Sequence, residues 1–209
     1  MITTTGRDAV LHLSSADERL GKIITTVGSY TIETGGDPFR SLVSSIMYQQ
    51  LAGAAADAIH ARFLKLYDGR FPSPAILAAT PDAQLRAVGL SVRKAEYMKG
   101  LAAVVAAGTL DLASLAAMED EQVVQQLTTV RGIGRWTAEM FLIFCLGRPD
   151  VLPVGDLGLQ RAVQKAYSLR KLPAQERIVK IARPWRPYRS VATWYLWRSL
   201  EEKFFKTVD

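Results

Sequence analysis

Apolar residues recur at helical spacing along most of the chain, whereas strict alternation of apolar and polar residues is nearly absent. In residues 17–29, four aliphatic side chains fall on one helix face. Residues 39–67 are Ala-rich and keep the same spacing, and Gly53 predicts a break that divides this stretch into two helices. The pattern therefore predicts an all-α fold.

Capping residues and prolines predict where the helices begin. Asp37, Thr80 and Ser91 each stand at the start of a helical stretch, two of them directly before a proline, and each is expected to cap a helix. Residues 135–146 are apolar on nearly every side, which predicts a helix buried all round. We predict about ten helices, the main ones in residues 17–29, 39–67, 92–107, 119–129, 135–146, 157–169, 173–183 and 188–204.

Composition excludes several classes of protein. The 209 residues are 49% hydrophobic and 22% charged, as in ordinary globular chains. A single cysteine, Cys145, excludes an internal disulfide and a four-cysteine metal site, and its apolar surroundings favour a buried, inert thiol. No signal peptide and no apolar run near the roughly 20 residues of a membrane span is evident, so we expect a cytoplasmic protein, or a nuclear one in a eukaryote.

Basic residues are concentrated towards the C-terminus. The chain has 26 Lys and Arg against 20 Asp and Glu, a net charge of +6. Residues 161–209 hold 12 basic and 4 acidic residues, while residues 1–160 hold 14 basic and 16 acidic. A basic segment suits a polyanion such as DNA, because phosphate contacts release counterions. Charge alone leaves open the alternative of a solvated basic surface.

Residues 127–138 predict two helices joined by a tight turn that contains Gly132 and Gly134. Glycine permits backbone angles denied to other residues and lets another molecule approach closely. Amides of such a turn attract anions, and a phosphate held by them would be bound without regard to base sequence. A Gly-x-Gly pair alone is also compatible with a plain connecting turn.

The same stretch resembles the helix-hairpin-helix motif of DNA repair glycosylases. The match covers Gly132–Gly134, Thr137 and Ala138, whereas Val130 and Arg131 stand where the motif has leucine and proline. The resemblance implies that Gly132, Gly134 and Thr137 bind DNA phosphate. In this family the hairpin often coordinates a Na⁺ or K⁺ ion through backbone carbonyls, here those of Thr128, Val130 and Ile133.

A second element, residues 152–159, contains one carboxylate. Asp156 follows a proline and a glycine and lies 22 residues after Gly134, at the start of a predicted helix. On local grounds it is equally well an N-cap. In the glycosylase superfamily a proline, a short spacer and a catalytic aspartate follow the hairpin at about this distance. The resemblance therefore implies that Asp156 is the catalytic residue.

Residues 46–51 are similar to the isoleucine-x-x-glutamine-glutamine-leucine pattern of AlkA-type 3-methyladenine glycosylases. In that family the leucine wedges into the duplex where the damaged nucleotide leaves. This resemblance implies that Leu51, with Gln50 beside it, is the DNA wedge. Taken alone, paired glutamines in an apolar stretch indicate a helix end that faces water.

Residues 89–95 also match the AlkA type, although a capped surface helix with Arg93 and Lys94 in water is the alternative. The C-terminal segment is rich in aromatic residues interleaved with arginines. Such clusters usually form core, yet a base-excising enzyme also needs flat π surfaces for an extruded base. Residues 183–190 resemble the family's tryptophan-x-proline-tryptophan-arginine-serine segment, and by that alignment Trp197 stacks on the flipped base.

Together the matches imply an HhH-GPD glycosylase fold, with two helical subdomains and the active-site cleft between them. One subdomain would comprise residues 17–36 and 150–209, and the other residues 37–149. The N-terminal β-rich domain of longer members is expected to be absent.

The implied function is excision of alkylated bases, of the 3-methyladenine and 7-methylguanine type, from damaged double-stranded DNA in base excision repair. The base would flip into a pocket formed by Trp136, Met140, Leu157 and Trp197, and Asp156 would stabilise the sugar cation. Bifunctional relatives have lysine where this chain has Trp136, so no lyase activity is expected. We expect a monomer with no cofactor beyond the hairpin cation.

Other functions are compatible with the same residues. One is a glycosylase for another lesion, such as hypoxanthine. Another is a non-catalytic helix-hairpin-helix DNA-binding protein, which would need the hairpin and the basic segment but not Asp156. A more distant one is a helical scaffold whose aromatic residues are all core.

Overall fold

The structure, a computed structural model, describes residues 4–51 and 53–201. All regular structure in these residues is helical, which confirms the all-α prediction. The chain divides into two compact units: unit 1 joins the residues up to Thr34 with those from Gly147 onward, and unit 2 comprises Gly35–Leu146. Over the described residues, no helix has the length and apolar character needed to cross a membrane.

Twelve α-helices are present in the described part of the chain, with short 3₁₀ turns at Ser114–Ala117 and Arg183–Trp185. The helices are α1 (Thr4–Ala16), α2 (Glu18–Val27), α3 (Pro38–Tyr48), α4 (Gly53–Leu66), α5 (Pro74–Ala79), α6 (Asp82–Ala87), α7 (Val92–Ala106), α8 (Asp120–Thr128), α9 (Arg135–Met140), α10 (Leu157–Ala166), α11 (Gln175–Ile181) and α12 (Arg189–Arg198). Predicted helix 188–204 therefore ends earlier, and its residues 202–204 lie outside the described residues.

Side-chain caps begin several of the predicted helices. The Asp37 carboxylate accepts the backbone N–H of Arg40 at 2.6 Å and begins α3. The Ser91 hydroxyl accepts the N–H of Lys94 at 3.3 Å and begins α7. Because a cap satisfies N–H groups that have no partner inside the helix, these starts could be recognised from the sequence.

Helix α1 was not predicted. Its sequence includes Gly6 and several Thr and Ser residues, which favour caps and turns over helix interiors. Ala9 and Leu13 are nonetheless fully buried, and α1 packs against α2 and α12 in unit 1. Burial of this face supplies the stability that local propensity lacks.

Helix α5 was not predicted, and the predicted cap role of Thr80 is wrong. The Ser73 hydroxyl accepts the N–H of Ile76, so the Ser-Pro pair begins a helix. The Thr80 hydroxyl donates to the Ile76 carbonyl at 2.8 Å and lies 2.8 Å from the Tyr67 hydroxyl. It therefore completes the end of α5, and α6 begins without a side-chain cap.

The core of unit 1 takes up most of the C-terminal aromatic residues. Trp185 and Tyr195 are fully buried, and Trp194 is nearly so. Asp17 caps α2 and also accepts hydrogen bonds from the Trp185 indole, at 3.0 Å, and from the Tyr167 hydroxyl. These aromatic residues therefore pack as core, as such clusters usually do.

Helix α9 continues as one π-helical turn, Phe141–Cys145. The prediction that residues 135–146 are buried on all sides is wrong at three positions, because Arg135 is exposed, Trp136 is 45% exposed and Phe144 is 37% exposed. Cys145 is buried as predicted, and burial raises the pKa of its thiol. A π turn shifts the side chains that follow it to another face of the helix, a device often found at functional sites.

Candidate active site

The hairpin between α8 and α9 in unit 2 contains two glycines with different roles. Gly132 has φ +97°, and a Cβ atom built there would lie 2.3 Å from Cγ of Tyr97. Gly134 has extended backbone angles, and nothing lies within 4 Å of its Cβ position. Gly132 is thus required by the fold itself, whereas Gly134 leaves an open backbone surface that another molecule could approach.

Gln49 ties the end of α3 to this hairpin. Its Nε2 donates to the Gly132 carbonyl at 3.0 Å and to the Thr137 hydroxyl at 3.4 Å. The expectation that both paired glutamines face water is therefore wrong for Gln49. Thr137 is only 3% exposed, so its side chain belongs to this packing, and its role at a DNA phosphate stays a prediction.

The predicted wedge follows directly after α3. Gln50 is exposed and adopts φ +56°, which turns the chain sharply, and Leu51 is 37% exposed. The Lys94 ammonium donates to the Met47 carbonyl at 2.7 Å, so Lys94 is not simply in water as the alternative had it. A cation at the last carbonyls of a helix is favourable, and here it steadies the helix end from which Leu51 projects.

A cavity of about 880 Å³ opens in unit 2 between α3 and α9. This volume lies in the range of protein ligand pockets, about 300–1,000 Å³. Its walls contain the predicted base-pocket residues Trp136 and Met140, together with Gln50 and Gly134. The structure thus brings one half of the predicted base pocket, part of the wedge and part of the hairpin to a single cavity.

Other residues of the cavity wall were not predicted from the sequence. Ser41, Ser44, Ser45 and Tyr48 all line it, and they follow one another at helical spacing along α3. A polar stripe on an otherwise apolar helix indicates a face that is not packed in the core, so these residues could have been predicted from the sequence. Phe144 lines the cavity too, but it carried no signal, because every neighbour is apolar and only the π turn exposes it.

Tyr48 is held at the cavity by a second helix. Its hydroxyl donates to the Asp57 carboxylate of α4 at 2.6 Å. This hydrogen bond, with burial and the carboxylate charge, raises the pKa of Tyr48. Since the phenol proton is used by Asp57, Tyr48 offers oxygen lone pairs rather than a proton to a bound group.

Asp156 lies in unit 1, where the structure bears out its local reading as an N-cap. Its Oδ1 accepts the backbone N–H of Leu159 at 2.6 Å and the indole Nε1–H of Trp197 at 2.8 Å. A Cβ at Gly158 would stand 3.0 Å from that oxygen and 3.2 Å from the Trp197 ring. Because Gly158 has no side chain, the Trp197 indole can approach the Asp156 carboxylate. The neighbouring Leu157 is 47% exposed.

The segment before Asp156 is anchored by the start of α12. The Arg189 guanidinium donates to both carboxylate oxygens of Asp150, at 2.7 and 2.9 Å, and the Ser190 hydroxyl accepts the N–H of Val151 at 2.9 Å. In the sequence, Arg189 and Ser190 are recognisable only as part of a motif. Their contacts show why arginine and serine stand there: they fix the chain that leads to Asp156.

Unit 1 thus gathers Asp156, Leu157 and Trp197, and unit 2 gathers the hairpin, the wedge and the cavity. Within residues 4–51 and 53–201, no three His, Cys, Asp or Glu side chains lie together as a set of metal ligands. Two helices, α8 and α9, joined by a tight turn with two glycines are the feature that defines a helix-hairpin-helix protein.

Comparison with known proteins agrees with this class. The model of the HhH-GPD superfamily of base excision DNA repair proteins matches residues 43–187. DNA-3-methyladenine glycosylase 1 of Schizosaccharomyces pombe is 34% identical over 203 residues, which cover 95% of this chain and 89% of that protein. The putative DNA-3-methyladenine glycosylase YfjP of Bacillus subtilis is 37% identical, with 91% and 70% covered.

Among solved structures, the S. pombe 3-methyladenine DNA glycosylase in complex with abasic DNA superposes with a TM-score of 0.84 at 33% identity. The match covers 92% of this chain and 96% of that one. The chain therefore belongs to the HhH-GPD superfamily of base excision DNA repair proteins. The predictions of an HhH-GPD fold and of a DNA glycosylase are confirmed.

Proposed function

We propose that this protein is a monofunctional glycosylase that removes alkylated bases, of the 3-methyladenine and 7-methylguanine type, from double-stranded DNA. The observation that carries the proposal is Trp136, a 45% exposed indole in the wall of the cavity beside the hairpin. Bifunctional members of the superfamily have a nucleophilic lysine at this position. An indole cannot form the Schiff base that strand cleavage requires.

The cavity wall suits a flat cationic base. Trp136, Tyr48 and Phe144 contribute aromatic rings, and Met140 a polarisable thioether. A purine alkylated on a ring nitrogen carries a positive charge, and the face of an aromatic ring attracts a cation by about 0.5–2 kcal/mol. Extruding the base costs a few kcal/mol, and least for a poorly paired lesion, so the extrusion step also favours damaged bases.

Asp156 is the proposed catalytic residue. Positive charge develops on the sugar as the bond to the base breaks, and an oriented carboxylate stabilises that charge. The hydrogen bonds from Leu159 and Trp197 hold the carboxylate in one orientation. Because a cationic base is already a good leaving group, no strong general acid is needed. Leu157 and Trp197, which adjoin Asp156 in unit 1, are proposed to contact the extruded nucleotide.

The hairpin and the wedge are proposed to hold the DNA. The amides around Gly132 and Gly134 bind a phosphate, and Leu51 fills the gap that the extruded nucleotide leaves, with Gln50 beside it. The exposure of Leu51 and the open backbone at Gly134 support these roles. We infer that one monomer acts on one duplex.

A monovalent cation at the hairpin also fits the residues present. The Val130 carbonyl accepts the Ile133 N–H at 3.0 Å, and a carbonyl oxygen has a second lone pair for an ion. The carbonyls of Thr128, Val130 and Ile133 would hold a Na⁺ or K⁺ ion. Such an ion would add positive charge where the phosphate binds.

Asp156→Asn tests the catalytic assignment. Asparagine keeps the Oδ1 acceptor for Leu159 and Trp197 and is an equally good N-cap, so fold and DNA binding should be retained. We expect release of 3-methyladenine from alkylated DNA to fall by at least about 10²-fold. Glu176→Gln is the matched control, since it removes an exposed carboxylate from the first turn of α11, and it should release base at the wild-type rate. Release by Asp156→Asn within tenfold of wild type would reject the assignment.

Single-lesion duplexes test the substrate class. We expect free alkylpurine without strand cleavage, unless alkali is added afterwards to cut the abasic product. Preferential release of hypoxanthine would overturn the alkylated-base proposal while leaving the glycosylase intact. Strand cleavage without alkali would overturn the monofunctional one.

A further inference from the structure

Two arginines of unit 2 share one aromatic ring beside the hairpin. The guanidinium carbon of Arg93, in α7, lies 5.8 Å from the centre of the Tyr97 ring, and that of Arg131 lies 5.6 Å from it. Arg93 also donates to the Tyr97 hydroxyl at 3.1 Å. Both arginines are exposed. The hydrogen bond from Arg93 and the charges of both guanidiniums lower the pKa of Tyr97.

The ring that holds them belongs to the hairpin packing. Cγ of Tyr97 lies only 2.3 Å from where a Cβ of Gly132 would be, so the ring packs directly against the backbone of the turn. Only the Tyr97 ring therefore lies between the guanidiniums and the backbone of the turn whose amides are proposed to bind phosphate. Arg131 itself lies in the turn, where the motif has a proline.

In the part of the chain that the structure describes, no carboxylate is paired with either of these two positive charges. Over the described residues 4–51 and 53–201, neither guanidinium forms an ion pair, although the charge of Glu96 acts on Arg93. Their guanidinium carbons cannot be more than 11.4 Å apart, since both are held on one ring. Because this upper limit is close to the Debye length of about 8–10 Å in physiological salt, the fields of the two charges overlap, and an anion near both is favoured.

We propose that Arg93 and Arg131, held against Tyr97, form a second phosphate-binding element that grips the DNA backbone next to the hairpin. The proposal rests on the DNA-binding part of the proposed function and extends it to α7, which the hairpin motif does not include. A guanidinium binds phosphate through a fork of N–H donors, and cation–π contact with Tyr97 restricts each fork before DNA arrives. The element binds backbone and not bases, so it acts on damaged and undamaged DNA alike.

The salt dependence of DNA binding tests this element. A labelled, undamaged duplex is titrated with protein at a series of KCl concentrations, and the logarithm of the binding constant is plotted against that of the salt concentration. Each neutralised phosphate contributes about 0.9 to the slope. We expect Arg93→Gln and Arg131→Gln each to reduce the slope by about 0.9, and the double variant by about twice that.

Arg70→Gln is the matched control, because Arg70 is an exposed arginine of the same unit outside this cluster. It should leave the slope at the wild-type value. Wild-type slopes in Arg93→Gln and Arg131→Gln would overturn the proposal, and so would an equal loss in Arg70→Gln, which would indicate a general effect of net charge.

Base release from alkylated DNA is measured in parallel, at saturating protein. If the wild-type protein releases base but the arginine variants show the wild-type salt slope, the second phosphate-binding element is refuted and the proposed glycosylase function is retained. If the slopes fall as expected but no base is released, the proposed function fails and the phosphate element stands.

Discussion

Gly132→Ala places a methyl group at the most crowded point of the hairpin. Gly132 adopts φ +97°, a left-handed conformation that L side chains rarely take. The new Cβ would lie 2.3 Å from Cγ and 2.7 Å from Cβ of Tyr97. These atoms sit at the base of the side chain, so rotating the ring alone cannot relieve the clash.

The expected loss of stability follows from these two effects. The left-handed backbone costs an alanine about 1–2 kcal/mol, and a forced displacement of packed atoms about 1–3 kcal/mol. Restriction of the unfolded chain offsets about 0.4–1 kcal/mol. The net loss is about 1–4.5 kcal/mol, which for a chain of 150–250 residues lowers Tm by about 2–18 °C.

Thermal unfolding of four variants, Gly132→Ala, Gly134→Ala, Tyr97→Ala and the Tyr97→Ala/Gly132→Ala double variant, separates the two causes. Gly134→Ala is the matched control, since its backbone suits alanine and no atom lies within 4 Å of the new Cβ. Its stability should stay within about 1 kcal/mol of wild type, while its affinity for DNA falls because the methyl group covers the open backbone. In a Tyr97→Ala background, Gly132→Ala should lose the packing part of its cost, a coupling of about 1–3 kcal/mol.

Two results would refute this reasoning. A Tm for Gly132→Ala within 2 °C of wild type, on the scale of about 2–4 °C per kcal/mol, would mean that the turn accommodates a side chain. Strict additivity with Tyr97→Ala would mean that the Tyr97 ring is not the obstacle.

Two further predictions concern partly buried hydrogen bonds. Asp17→Asn places an amide N–H₂ opposite the Trp185 and Tyr167 donors, which should cost about 1–3 kcal/mol at neutral pH. Burial raises the pKa of Asp17, but the hydrogen bonds from Trp185, Tyr167 and the backbone outweigh it and hold the pKa below its ordinary 3.8. The carboxylate therefore contributes its stability above pH 3.8, and the difference between wild type and Asp17→Asn in thermal unfolding should shrink as the pH falls below that value; an undiminished difference at pH 2.5 would contradict this. Gln49→Leu leaves the Gly132 carbonyl without its donor and should lower stability by about 1–2 kcal/mol, whereas Gln50→Asn, at an exposed left-handed residue that asparagine tolerates, should change it by less than about 0.5 kcal/mol. Equal Tm values for Gln49→Leu and Gln50→Asn would argue against a structural role for Gln49.

Much of the fold could be predicted from local signals. Asp37 and Ser91 cap helices as expected, and Gly53 separates α3 from α4. A helix cap forms between residues within one helical turn, so the local sequence contains everything that determines it. Helix α1 lacked them because its stability comes from burial of Ala9 and Leu13 and not from its own sequence. Thr80 stands between the end of α5 and the start of α6, and the local sequence does not determine which of the two its hydroxyl binds; in the structure it binds the end of α5.

The candidate site divides in the same way. Its individual residues were recognisable because their spacing along the chain matches a motif, as with Gly132, Gly134 and Asp156. The contacts between residues far apart in the sequence could not be recognised in this way. Trp197 lies 41 residues from the aspartate to which it donates, and Gln49 lies 83 residues from the hairpin carbonyl that it holds.

The sequence by itself determined the helical class, most helix boundaries and the residues eligible for chemistry, since helix periodicity and capping depend on neighbours three or four positions away. Tertiary structure alone decided which aromatic residues form core and which line a cavity. Trp185 is buried and Trp136 is exposed, although both lie in short helical segments that also contain an arginine. The physical reason is that burial and hydrogen-bond partners depend on which helix faces pack together, and that choice is made by the whole set of helices at once.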